Sequence, residues 1–248
     1  LCLDNMKQHH KLLISQALIH LIGIVGIFLY FDAKFLWLTV AGVFLFAHLG
    51  IGIYCHRYLA HHSFETSSFV EKILNFLSIM CLQGPPMVWA ANHVTHHKNA
   101  DQEGDPHPAS SWFRTWFWIG TDKNSVICQK TIKRLSKDKI HKNTNKHYYK
   151  IYWSIIIISS FFDFKATLYL FVLPVIYAFH MSSFTNVILH KFGYRNFETN
   201  DKSMNLPIPI LLDSAYHNNH HAMPKSYNMA VKWHEFDMLG HVIDLIRK

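Results

Sequence analysis

The sequence predicts an all-α integral membrane protein, with four transmembrane helices in two hairpins and a cytoplasmic helical cap. Three observations predict it. Long stretches lack every acid, Lys and Arg. Only 16% of the residues are charged, against about 25% in an ordinary soluble domain. All but two of the 24 Lys and Arg also lie on one side of the apolar runs. The chain, residues 1–248, reads as a single domain with no repeat, low-complexity tract or flexible linker.

Leu12 to Phe31, Phe35 to Cys55 and Ala166 to Leu189 carry no acid, Lys or Arg. A bilayer-spanning helix needs about 20 mostly apolar residues. A shorter run, Ile151 to Phe162, reaches that length if His147-Tyr148-Tyr149 lies at the interface, where tyrosines concentrate. The expected spans are therefore about 12–31, 36–55, 148–162 and 167–189, with a cap formed by 56–147 and 190–248. The first run is longer than the core of a secretory signal, and no small-residue cleavage site follows it.

Of the 24 Lys and Arg, only Lys34 and Lys165 fall in the short connections within the hairpins. The positive-inside rule then places both termini and the long middle segment in the cytoplasm. The same rule accounts for the net charge of +8 better than nucleic-acid binding does. Cys2, Cys55, Cys81 and Cys128 form no Cys-x-x-Cys pair, so neither a disulfide framework nor a thiolate zinc site is indicated.

Within the cap, Phe69 to Cys81 reads as an interfacial or re-entrant helix stopped by Gly84-Pro85-Pro86. Asp105-Pro106 breaks the chain again. Trp112, Phe113, Trp116, Phe117 and Trp118 read as an interfacial aromatic patch. Lys130 to Lys150 is basic and amphipathic, suited to anionic headgroups and, as a second reading, to docking of an acidic partner.

The twenty histidines are clustered. His56 and His61 stand five apart, while His93, His96, His97 and His217, His220, His221 share the spacing i, i+3, i+4. On a helix that spacing places all the rings on one face, so one helix can serve two metals. An i, i+5 pair on an ideal helix points about 140° apart. His56 and His61 are thus expected to serve different metals, unless the helix unwinds between them. His190, at the end of the last run, reaches the same membrane face. Nine imidazoles exceed the about four ligands that one zinc takes, and imply two metals. Imidazole suits Zn, Cu, Fe and Ni, so ligand type alone does not choose. Glycine-rich nucleotide fingerprints and His-Glu-x-x-His are absent, and no bound flavin or nicotinamide is expected.

The boxes H-x₄-H, H-x₂-H-H and H-x₂-H-H, interleaved with two hairpins, resemble the membrane fatty acid desaturases, most of all the acyl-CoA Δ9 (stearoyl-type) branch. Supporting features are His96-His97-Lys98 followed by Asp105-Pro106-His107, Asn186-x₃-His190, Tyr216 and Met223-Pro224. The resemblance implies two irons held by His56, His61, His93, His96, His97, His190, His217, His220 and His221, with Asn186 holding a water. It implies that Gln83, Trp89 and Ser182 line a kinked acyl tunnel. Ligating imidazoles are commonly oriented by carboxylates, for which Asp101, Glu103, Asp105 and Asp213 are candidates; the alternative reading of each is an ordinary solvated or capping carboxylate. The resemblance also implies O₂ as co-substrate and a fatty acyl substrate, with acyl-CoA favoured. The chain departs from the family at His62, where Arg is usual, and at Ala91-Asn92, where animal members carry Arg-Asp near the CoA headgroup. His-Pro-Gly-Gly, the haem motif of a fused cytochrome b5, is absent. The resemblance therefore implies no bound haem and a separate donor such as cytochrome b5, ferredoxin or rubredoxin.

The near rival is a sibling di-iron hydroxylase acting on acyl chains, alkanes or carotenoids. The distant rival is a membrane metal transporter or haem protein. Transport calls for polar ligands at mid-bilayer depth, where only His20, His48 and His180 lie.

Overall fold

The computed structural model describes residues 2–107, 111–119, 127–208, 211 and 214–248, with side chains from residue 8 onward. Regular structure within them is helical: α1 Cys2–Tyr30, α2 Ala33–Ala60, α3 Ser68–Ile79, α4 Pro86–Asn99, α5 Trp112–Trp116, α6 Gln129–Leu135, α7 Lys139–Phe162, α8 Phe164–Ile188, α9 His217–Ala222 and α10 Met238–Ile246.

Among the described residues, three helical segments are long and apolar enough to cross a membrane: Gln8–Tyr30, Ala33–Ala60 and Phe164–Ile188. Their outward faces carry large apolar side chains such as Phe28, Trp37 and Val40, as a lipid-facing surface requires. The run expected to form the fourth span, Ile151–Phe162, is the second half of α7, whose first half is basic, and α7 is not among the three. The α1–α2 and α7–α8 connections meet at one end of the bundle. Asp32 pairs with Lys165 at 3.5 Å, and its backbone N–H donates to the Tyr169 hydroxyl at 2.6 Å. Tyr30 and Phe164 meet edge to face at 5.3 Å.

α2 runs past the expected boundary at Cys55 to Ala60, so His56 lies within the helix and does not follow it. From Val43 onward its hydrogen bonds reach five residues back, and the His61 N–H still donates to the His56 carbonyl at 3.2 Å. Such widened turns are uncommon and concentrate at functional sites. They bring residues five apart onto one face.

α3 forms where the apolar run predicted it. Ser67 caps it by accepting from the Val70 N–H. Phe69, Ile73 and Phe76 point outward, while Leu74 and Asn75 face α2 and α7. Gly50 lets α2 and α3 touch: a Cβ there would stand 2.8 Å from the backbone of Leu77 and Ser78. Gly50→Ala is expected to force the helices apart and destabilise the protein by about 1–3 kcal/mol, the usual range for overpacking. The readout is a lower melting temperature in detergent.

The cap is tied back to α2 by the C-terminal segment. Arg57, fully buried, donates to both carboxylate oxygens of Asp237 at 2.7 and 3.1 Å and to the Tyr227 carbonyl at 2.6 Å. Thr66 donates to the Ile246 carbonyl at 2.6 Å. The aromatic patch divides. Trp112, Phe113 and Phe117 are exposed. Trp116 and Trp118 dock on α8, donating to His180 Nδ1 and Ser183 Oγ at 3.1 Å each.

Candidate metal centre

Pro85 and Pro86 start α4, with Pro86 in the first turn where its missing N–H costs nothing. α4 carries His93, His96 and His97 toward the end of α2 and the loop after α8. α9 has only six residues, too few to be stable alone. Its two central asparagines hold it. Asn218 Oδ1 accepts from the backbone N–H groups of Asn196 and Phe197, both at 2.9 Å. Asn219 Nδ2 donates to the Met229 carbonyl and Glu235 Oε2, and its Oδ1 accepts from Asn196 and Asn205, each at 2.9 Å. His217, His220 and His221 are thereby left facing inward.

All nine expected histidines converge, in two groups. His56, His61, His93, His97 and His220 form one; His96, His190, His217 and His221 form the other. Within each group one nitrogen per ring lies within 4.8 Å of every other. The groups abut, with the rings of His97 and His221 stacked at 4.2 Å. As expected, the i, i+3, i+4 boxes split between groups. His56 and His61, expected on different metals in an ideal helix, share one group. The widened turns of α2 are the reason, through the helix-unwinding alternative.

The spacing fits metals. In the first group Nε2 of His220 lies 2.8 Å from those of His56 and His97, His61 from His93 at 2.8 Å, and His93 from His97 at 3.0 Å. In the second, His190 and His217 approach at 3.0 Å, while Nε2 of His96 and His221 is buried with no partner. A first-row metal at the imidazole bond length of about 2.0–2.1 Å, with ligands at right angles, spaces neighbouring nitrogens about 3 Å apart. Closely facing nitrogens and orphaned buried ones are what a shared cation would satisfy.

Burial holds His93, His97, His217 and His220 well below the usual histidine range and lowers His61 to about 3. Burial lowers His221 to about 4 against the opposing pull of Asp201. Burial thus favours the uncharged form of these rings, the form that binds a metal.

A sequence model of the fatty acid desaturase family matches residues 9–244. The chain belongs to this family. Among its relatives is an sn-1 stearoyl-lipid 9-desaturase of Anabaena variabilis, 26% identical over 90% of this chain and 85% of that protein. Another is an sn-1 stearoyl-lipid 9-desaturase of Synechocystis, 29% identical over 92% and 74%. A third is an acyl-CoA C20 Delta5-desaturase of Anemone leveillei, 27% identical over 87% and 72%. Lipid-linked and CoA-linked names both occur, so the acyl-CoA preference drawn from the histidine boxes is not established for this desaturase-family chain.

Among the described residues, Asp105 and Asp101 each orient a ring, as expected. Asp105 accepts from His96 Nδ1 and Asp101 from His190 Nδ1, both at 2.8 Å. Glu103 is exposed on the same loop, and Asp213 lies outside the described residues. Asp201 accepts from His221 Nδ1 at 2.9 Å and was not anticipated. It stands in a polar Thr-Asn-Asp-Lys-Ser stretch twenty positions before His221, and no local spacing links the two. Burial pushes all three carboxyls up. Bonds from their histidines and from backbone N–H groups outweigh it and hold them below the usual carboxylate range.

The expected tunnel residues meet. Trp89 Nε1 donates to Gln83 Oε1 at 3.1 Å, and Gln83 Nε2 donates to Ser182 Oγ at 2.7 Å. Gln83 and Ser182 line a small cavity with Ala47, Ile51 and Ala178. Trp89 stacks on His93 with ring centroids 5.1 Å apart, so this chain of bonds links cavity to metal centre. Asn186 lies on α8, one turn before His190, and is half-buried.

Proposed function

We propose that this chain is an O₂-dependent fatty acyl desaturase that inserts a cis double bond, of Δ9 type, using two irons bound by the nine histidines. The observation that carries this reading is the pair of abutting all-imidazole groups beside the Trp89–Gln83–Ser182 cavity. Five nitrogens in one group exceed the about four of a structural zinc site. The Δ9 assignment rests on the names of the two cyanobacterial relatives.

An alkyl C–H bond offers no acid to remove and no carbonyl to polarise, so side-chain acid–base chemistry cannot break it. Bound irons supply the O₂-dependent oxidation of two adjacent C–H bonds. The balance is one O₂, two electrons, two protons and one hydrogen from each carbon of –CH₂–CH₂–, giving –CH=CH– and two waters. The electrons come from a separate donor protein. The chain's residues bind and orient. The nine imidazoles would hold the metals, Asn186, one turn before His190, would hold a water beside them, and Trp89 stacks on His93 between cavity and ligands. The Gln83 amide fixes the wall of the cavity through Ser182 and the Ala178 carbonyl. Fixed walls set which carbon stands at the metals and keep bulk water away.

The same proposal includes α7 as the fourth span and the metal centre on the cytoplasmic side. Two features support this. The α7–α8 turn lies beside the α1–α2 turn at the end away from the histidines, and the Lys and Arg residues concentrate at the other end. The test is the acyl profile of cells expressing the chain, with His93→Ala as the silent control. New cis-Δ9 monoenes are expected, and early labelling of CoA and lipid pools identifies the carrier. Hydroxylated product, or no change, overturns the proposal.

A further inference from the structure

The two histidine groups differ in what stands behind them. In the four-histidine group, three rings donate their far nitrogen to a carboxylate: His96 to Asp105, His190 to Asp101 and His221 to Asp201. Among the described residues, no carboxylate reaches a ring of the five-histidine group, and Nδ1 of His220 is buried without a partner.

The carboxylates are themselves fastened together. Asp105 Oδ2 accepts the Asp101 N–H at 2.8 Å, and Asp105 Oδ1 accepts the His107 N–H at 2.8 Å. Asp101 Oδ2 accepts the Lys202 N–H at 2.8 Å. Asp201 Oδ1 accepts the Thr199 hydroxyl at 2.8 Å and the Ser203 N–H at 2.9 Å. The loop after α4 and the loop at 195–203 thus interlock around one group only.

A carboxylate behind a ligating imidazole fixes the ring, leaves its other nitrogen free for metal and raises its basicity; losing such a partner typically costs about 10–100-fold in metal affinity. We infer that the centre is built unequally. The four-histidine site is preorganised, fills first and binds iron more tightly, with Asp201 as a positioning residue for it. The five-histidine site completes second. This inference rests on the two-iron reading of the proposed function.

The test uses the full chain in lipid nanodiscs, stripped with chelator and titrated anaerobically with ferrous iron, with binding read by calorimetry and ⁵⁷Fe Mössbauer spectra. His61→Ala breaks the five-histidine site and is expected to keep one tight equivalent. His217→Ala breaks the four-histidine site, and its remaining equivalent is expected to bind at least about 10-fold more weakly. Asp201→Asn is expected to weaken binding about 10–100-fold on the His61→Ala background and to leave the His217→Ala background unchanged. Melting temperatures of the iron-free proteins confirm that each variant folds, and Asp101→Asn replaces Asp201→Asn if the latter does not. Equal affinities in the two single-site proteins, tighter binding in His217→Ala, or equal weakening on both backgrounds overturns the inference. Ordered filling in cells that make no unsaturated lipid sinks the desaturase reading alone. New unsaturated lipid with both sites filling at one affinity sinks the asymmetry alone.

Discussion

His220→Ala is expected to abolish double-bond formation, by more than about 10³-fold, because no side chain in this protein can replace a metal in C–H cleavage. His220 sits inside its group, with Nε2 at 2.8 Å from the same atom of both His56 and His97. Without it, two rings that now face it lose their shared point of contact, and one of the two metals is lost. The fold should survive. α9 is held by Asn218 and Asn219 against Asn196, Asn205 and Glu235, and none of those bonds involves His220. The measurements are acyl profiles of expressing cells, iron content of the purified protein and a thermal melt of the iron-free form. An unaltered acyl profile in this variant would remove His220 from the centre.

Asp237→Ala is the substitution with the largest expected effect on stability. Arg57 sits inside α2 between the two histidines of its box, and both partners of the ion pair are 1% exposed. Removing one partner of a buried pair leaves an uncompensated charge and costs about 3–5 kcal/mol. The same carboxylate accepts the Met229 N–H at 2.8 Å and the Gly240 N–H at 3.1 Å. The tail that carries Glu235 toward Asn219 loosens with it. The double variant Arg57→Met, Asp237→Leu removes both charges and is expected to recover most of the loss, because apolar replacement of a whole buried pair is often neutral or better. Thermal melts of the two variants in one detergent decide the matter. A single variant as stable as the parent would show that the pair contributes nothing.

Much of this molecule was legible in its sequence because membrane helices and histidine boxes are local patterns. An uncharged apolar run of spanning length needs no tertiary information to be read, and α1, α2 and α8 lie where such runs predicted them. The i, i+3, i+4 spacing of His93, His96, His97 and of His217, His220, His221 foretold that one helix serves both groups, because ring direction follows from helical geometry alone. Gln83, Trp89 and Ser182 were reached through the resemblance, and they do form one hydrogen-bonded chain.

Other features depend on where distant segments come to rest. The sharing of one group by His56 and His61 was not decidable from spacing, since it depends on whether α2 keeps an ideal pitch or widens, and it widens. Asp201 could not be assigned because its partner His221 belongs to α9, and only the packing of 195–203 against α9 and the loop after α4 brings them within 2.9 Å. Spacing and composition alone therefore determined that this chain carries membrane helices and two clusters' worth of convergent imidazoles. Tertiary structure alone decided how those imidazoles divide, five and four, and which group the carboxylates support. The reason is physical: periodicity sets the direction of side chains within one helix, whereas the meeting of groups on separate segments is set by packing between them.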